Sequence, residues 1–96
     1  MNADVLQREI VGGLVVDNGV LAMPEPLMLS IGRRITETPP KDRQELASAL
    51  IATATRLKQM PSSRRATTQV ISLAAIALGD STLTAVIEKA LKGPKN

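Results

Sequence analysis

The stretch ISLAAIALGDSTLTAVIEKAL, from Ile71 to Leu91, decides how the C-terminal part of the chain folds. Its apolar residues recur at the spacing of two α-helices, and Gly79 stands between them, where a helix commonly ends. Ala75 lies four residues before Gly79. A DNA-binding helix-turn-helix needs a small residue and a glycine at this spacing, because its helices approach closely and its turn needs a positive φ. The stretch therefore has two interpretations, a DNA-binding motif or two core helices joined by a tight turn.

The residues after Gly79 favour two core helices. In the frame of a helix-turn-helix, the buried positions of the second helix fall at Ala85 and Glu88, whereas the apolar residues are Val86 and Ile87. Base edges are usually read by Arg, Lys, Asn, Gln or Glu near the start of the recognition helix. We keep the DNA-binding surface as the alternative, and it would consist of Ser81, Thr82, Thr84, Lys89 and Lys92.

The segment before Gly79 predicts a helix from about Arg64 to Leu78 that is apolar on nearly all sides. A helix of this kind is buried all round, and a chain of 96 residues has little other structure with which to cover it. We therefore expect a second copy of the chain to complete the burial in a homodimer. The predicted dimer interface contains Val70, Leu73, Ile76 and Ala77.

Three helices are predicted upstream, from apolar residues at helical spacing between the stop signals Gly12-Gly13, Pro39-Pro40 and Pro61. Their expected core faces are, in order, Val5, Leu6 and Ile10; Leu27, Met28, Ile31 and Ile35; and Leu46, Leu50, Ile51, Ala54 and Leu57.

Between the first two predicted helices, the apolar residues no longer recur at helical spacing. Two short runs of aliphatic residues flank Asn18-Gly19, and Asn-Gly in this setting is a strong signal for a hairpin turn. Two strands alone are marginal in water, so the hairpin must lie against helices or pair with another chain. The sequence thus predicts a mainly α fold in a single domain at 1–96, a small bundle of four to five helices with a short β-hairpin at 14–23.

The composition excludes several kinds of chemistry. The chain has no Cys, His, Phe, Tyr or Trp, so disulfides, thiolate nucleophiles, zinc sites with Cys or His ligands and histidine proton transfer are all ruled out. Its nine acidic residues are scattered without the spacing of a calcium loop. We therefore expect no enzymatic activity, no catalytic residues, no cofactor and no metal.

Arginine pairs are the best candidates for partner binding, because the planar guanidinium pairs bidentately with carboxylates and is enriched in interface hot spots. Arg64 and Arg65 stand at the predicted start of a helix, where a positive charge is unfavourable to the helix dipole. Residues that are present despite such a local cost can be functional. The candidate partner-binding residues are Arg33, Arg34, Arg64 and Arg65.

These patterns favour a small non-enzymatic regulator or adaptor that acts through protein–protein contacts as a homodimer. The net charge of +3 is only mildly basic, so a nucleic acid is an alternative partner and a DNA-binding transcriptional regulator is the alternative function. A phage, plasmid or secretion-system assembly protein or chaperone would have the same composition. No signal peptide or membrane span is evident, so we expect a cytoplasmic protein without membrane contacts.

Overall fold

The computed structural model describes residues 2–79, and this part of the chain is mainly helical with one antiparallel hairpin. The elements are α1 (Ala3–Gly13), β1 (Val15–Asp17), β2 (Val20–Ala22), α2 (Glu25–Thr36), α3 (Pro40–Leu57) and α4 (Arg64–Leu78). The predicted fold class is confirmed. The helix expected after Gly79 lies outside the described residues.

Local sequence signals account for the ends of the helices. The Asn2 side chain caps α1 by accepting a hydrogen bond of 2.8 Å from the Val5 N–H. Prolines begin α2 and α3, with Pro24 and Pro39 at the N-cap positions, where the missing N–H of a proline costs nothing. Gly79 ends α4 with a φ of 69°, a left-handed conformation that glycine adopts without steric penalty.

The predicted hairpin turn at Asn18-Gly19 is confirmed. Both residues have positive φ, 54° and 79°, as a two-residue type I′ turn requires. Strand β2 lies against α4, and the Leu21 N–H donates to the Ser62 carbonyl at 3.0 Å just before that helix. The hairpin therefore packs on a helix of its own chain.

Helix α4 lies at the centre of the core. It packs against α3, α2 and β2. Its side chains Val70 and Leu73 are fully buried in the single chain. Gly32 of α2 faces α4, and a Cβ placed there would lie at an ordinary contact distance of 3.8 Å from the side chains of Leu73 and Ile76. One chain thus covers most of a helix that is apolar nearly all round.

The prediction that Ile51 and Val5 belong to the core is wrong, because both side chains lie on the solvent side of their helices. Ile51 is 44% exposed and Val5 is 43% exposed. The buried face of α3 is centred instead on Leu46, Leu50 and Leu57, with the small residues Ala47, Thr53 and Ala54 beside them. Each residue along a helix turns by about 100°, so Ile51 points away from the face that Leu50 presents to the core.

No helix within residues 2–79 has the length and apolar character needed to cross a membrane.

Candidate functional site

The structure does not bring the two predicted arginine pairs together. A Cβ placed on Gly32 would lie 3.8 Å from the Leu73 side chain, in the second half of α4, so the part of α2 that carries Arg33 and Arg34 packs near that half. Arg64 opens the first turn of α4, nine residues earlier than Leu73, which corresponds to about 14 Å along the helix axis. The two pairs therefore belong to different surfaces.

Arg34 is engaged within the chain. Its guanidinium donates two hydrogen bonds to the carboxylate of Glu9, at 2.8 and 2.5 Å, and so joins α2 to α1. The hydrogen bond from Arg34 lowers the pKa of Glu9 below its ordinary value, against a smaller opposing effect of burial. The same hydrogen bond raises the pKa of Arg34. Arg33 is exposed and makes no ion pair within residues 2–79.

Replacing Glu9 by Gln should make stability less dependent on pH. The pKa of Glu9 is lowered in the folded state, so the ion pair stabilises the fold above the ordinary pKa of 4.5 and loses this contribution as the pH falls below it. Both side chains are about one-third exposed, at 37% and 32%, and solvent screening limits the loss at pH 7 to about 1 kcal/mol or less. Urea unfolding at pH 7 and in acid measures the difference. The exposed Glu37→Gln is the matched control, and an identical pH profile in the two variants would contradict the prediction.

Arg64 and Arg65 are both exposed at the first turn of α4. They line an open cleft of about 580 Å³, and we call its lining the arginine surface: Val20, Arg64, Arg65, Thr68 and Gln69. Within residues 2–79, no carboxylate lies within 4.0 Å of either guanidinium. Both cations also stand at the positive end of the helix dipole, which disfavours them in the free protein.

Gln69 fixes the hairpin beside the arginines. Its side-chain oxygen accepts a hydrogen bond of 2.7 Å from the Met23 N–H, and its side-chain nitrogen donates one of 3.0 Å to the Met23 carbonyl. The amide thus satisfies both backbone groups of a residue that is only 3% exposed. The arginine surface is therefore built on two elements held in a fixed relation.

A second cleft, of about 340 Å³, lies at the turn between α3 and α4. We call it the turn cleft, and its lining consists of Lys58, Met60, Ser62, Ser63, Arg64 and Thr67. Ser63 is the N-cap residue of α4, but its side chain makes no capping hydrogen bond. The hydroxyl instead shares its single proton between the carbonyl of Leu57, the last residue of α3, and that of Met60, in the turn that follows. The start of α4 therefore lacks the acceptor that an N-cap serine usually supplies.

A third cleft, of about 330 Å³, is largely apolar and was not predicted from the sequence. It lies between α1, the hairpin and the end of α3, and its lining consists of Gln7, Val11, Leu14, Leu21, Thr53, Arg56, Leu57 and Met60. These residues come from α1, β2, α3 and the segments that connect the elements, so no local pattern indicates the cleft.

The predicted dimer residues differ in exposure. Val70 and Leu73 are fully buried and Ala77 is 6% exposed, whereas Ile76 is 40% exposed. Only Ile76 of the four therefore presents substantial side-chain surface. The residues of the DNA-binding alternative, Ser81, Thr82, Thr84, Lys89 and Lys92, lie outside the described residues.

In the part of the chain from residue 2 to residue 79, no three acidic side chains lie close enough together to hold a metal ion. The chain matches no known protein family, and no curated protein or solved structure shows significant similarity to it.

Proposed function

We propose that this chain is a non-enzymatic regulatory or adaptor protein that binds an acidic segment of a partner protein at the arginine surface. The observation that carries the proposal is the pair Arg64 and Arg65, which are exposed and have no carboxylate within 4.0 Å among residues 2–79. An acidic partner would supply the missing counter-charge. It would also relieve the unfavourable position of both cations at the start of α4.

The neighbours of the two arginines support a protein segment as the occupant. Val20 is 40% exposed and offers an apolar contact, while Thr68 offers a hydroxyl beside it. An interface of arginine, aliphatic and polar groups is typical of protein–protein contacts. Because Gln69 ties the hairpin to α4, binding would require little ordering of the surface.

Replacing Arg64 and Arg65 together by Ala should weaken partner binding at least tenfold, which corresponds to about 1.4 kcal/mol. The partner is first identified by affinity capture from a lysate of the producing cells, and its binding is then measured by calorimetry with purified components. Arg33→Ala is the matched control, since it removes an exposed arginine from another surface, and it should leave the affinity unchanged.

Two outcomes would contradict this function. In the first, the double variant binds the captured partner as tightly as the unmodified chain. In the second, the unmodified chain binds random duplex DNA with an affinity that falls steeply as salt rises, which indicates phosphate contacts along a nucleic acid.

We also propose that the chain forms a homodimer through the second half of α4. The exposure of the apolar side chains Ile76 and Leu78, at 40% and 39%, supports this part of the proposal. Light scattering at micromolar concentration should give twice the monomer mass for the unmodified chain, and the monomer mass for Ile76→Glu. Because Ile76 is on the surface, this variant should remain folded by circular dichroism. A monomer mass for the unmodified chain would contradict the dimer.

A further inference from the structure

We propose that the turn cleft is a binding site for a phosphate group carrying two negative charges. This inference concerns a ligand of the chain itself and does not depend on the proposed partner protein. Three observations point to it, namely the unpaired N–H groups at the start of α4, a buried hydroxyl without a partner, and the charge of the lining residues.

The start of α4 offers several free donors. Within residues 2–79, the backbone N–H groups of Arg64, Arg65 and Ala66 have no hydrogen-bond acceptor, while that of Thr67 donates to the Ser63 carbonyl at 2.8 Å. Of the first three residues, Arg64 lines the turn cleft. The Ser63 hydroxyl, the usual acceptor at this position, is directed to the end of α3. Free N–H groups at a helix start bind anions, because the helix dipole adds to their partial positive charge.

The Thr67 hydroxyl is the second and independent observation. Thr67 lines the turn cleft and is 3% exposed, and its Oγ1 has no hydrogen-bond partner among the described residues. A buried hydroxyl without a partner lowers the stability of the fold. An acceptor atom bound in the cleft would remove this cost.

The charge of the lining selects an anion. Lys58 and Arg64 both line the turn cleft, and none of its described lining residues is acidic. Its donors are of three kinds: the backbone N–H of Arg64, the Thr67 hydroxyl and two cationic side chains. A phosphate group has three strong acceptor oxygens and close to two negative charges at neutral pH, whereas a carboxylate has only two oxygens and one charge. The donor set therefore fits phosphate better than an Asp or Glu side chain.

The size of the turn cleft leaves room for the molecule that carries the phosphate. A volume of about 340 Å³ falls in the lower part of the range for small-molecule sites. The same chemistry is offered by free phosphate and by a phosphorylated serine of a peptide, and the two sources can be told apart by comparing their affinities.

The test is a titration of the unmodified chain with inorganic phosphate at pH 7.5, followed by two-dimensional NMR of the backbone amides, with the ionic strength held constant by sodium chloride. We expect the amide signal of Arg64, which lines the turn cleft, to shift and to saturate. Arg64→Gln should weaken phosphate binding at least fivefold and Thr67→Val at least threefold. Thr67→Ser, which keeps the hydroxyl, and Arg33→Gln, which removes a distant cation, should both bind as the unmodified chain does.

A second titration, with a short peptide carrying phosphoserine, identifies the source. Tighter binding of the phosphopeptide than of free phosphate assigns the site to a phosphorylated protein, and the reverse assigns it to free phosphate. The site is disproved if the amide shifts do not saturate, or if Thr67→Val and the unmodified chain bind phosphate equally.

Phosphate binding at the turn cleft and partner binding at the arginine surface can be tested separately. Arg65 lines the arginine surface but not the turn cleft, and Thr67 lines the turn cleft but not the arginine surface. Arg65→Ala should therefore weaken partner binding alone, and Thr67→Val should weaken phosphate binding alone. Thr67→Val should also remain folded, because valine has nearly the shape of threonine and removes only a hydroxyl that has no partner within residues 2–79.

Discussion

Replacing Leu73 by Ala should lower the free energy of unfolding by about 3.5 kcal/mol, the middle of the range for a buried leucine. Leu73 is fully buried and faces Gly32 of α2. Because glycine has no side chain to move into the space, the cavity left by the substitution would remain largely open, and an open cavity raises the cost. For a domain of this size, the loss corresponds to a fall in Tm of about 15 °C.

The matched control is Leu29→Ala, which makes the same change at another helical position. Leu29 is 64% exposed, so its replacement should change the free energy of unfolding by about 0.5 kcal/mol or less. Urea unfolding followed by circular dichroism measures both variants. Equal losses in the two variants would mean that α4 is not the centre of the core.

The hydrophobic period of the sequence predicts the described helices well, but it does not determine which elements cover which face. The apolar circumference of α4 indicates burial, and the structure buries Val70 and Leu73 completely. The sequence could not indicate that α2, α3 and β2 of the same chain do most of the covering. This depends on how the elements pack on one another in three dimensions, and the apolar pattern of one helix does not contain that information.

The edges of a buried face are equally difficult to predict. Ile51 follows Leu50 directly, and both fit an apolar stripe, yet only Leu50 is buried. A step of about 100° around the helix is enough to move a side chain from the core to the solvent. The position of the neighbouring helix decides between them, and one helix considered alone does not contain that information.

The candidate sites are predictable only in part, because they combine residues that are distant in the sequence. Local charge identifies Arg64 and Arg65, since both oppose the dipole of a predicted helix. The pairing of Arg34 with Glu9 joins two helices, and no local pattern separates Arg34 from Arg33. Likewise, a serine at an N-cap position predicts a cap, and only the tertiary structure shows that the Ser63 hydroxyl bonds to the end of α3.

Replacing Gln69 by Met should lower the free energy of unfolding by about 2 kcal/mol. Methionine has a similar length but cannot replace either hydrogen bond between the Gln69 amide and the backbone of Met23. Met23 is 3% exposed, so its N–H and carbonyl would be left without partners, and each such group costs about 1 to 3 kcal/mol when it is fully buried. The cost of each group lies near the lower end of this range, because the two hydrogen bonds are only partly buried.

The control for this prediction is Gln44→Met, at an exposed position of α3, which should change stability by less than about 0.5 kcal/mol. Urea unfolding gives the stability of both variants, and amide hydrogen exchange tests the mechanism. In Gln69→Met, the Met23 N–H loses its acceptor and should exchange faster, whereas the amides of α3 should be protected as before. The Leu21 N–H, which donates to the Ser62 carbonyl, should also exchange faster, because the amide of Gln69 holds β2 close to the start of α4. A loss of stability without faster exchange in β2 would show that Gln69 stabilises α4 alone, and the hairpin would then have to be held in place by its apolar contacts.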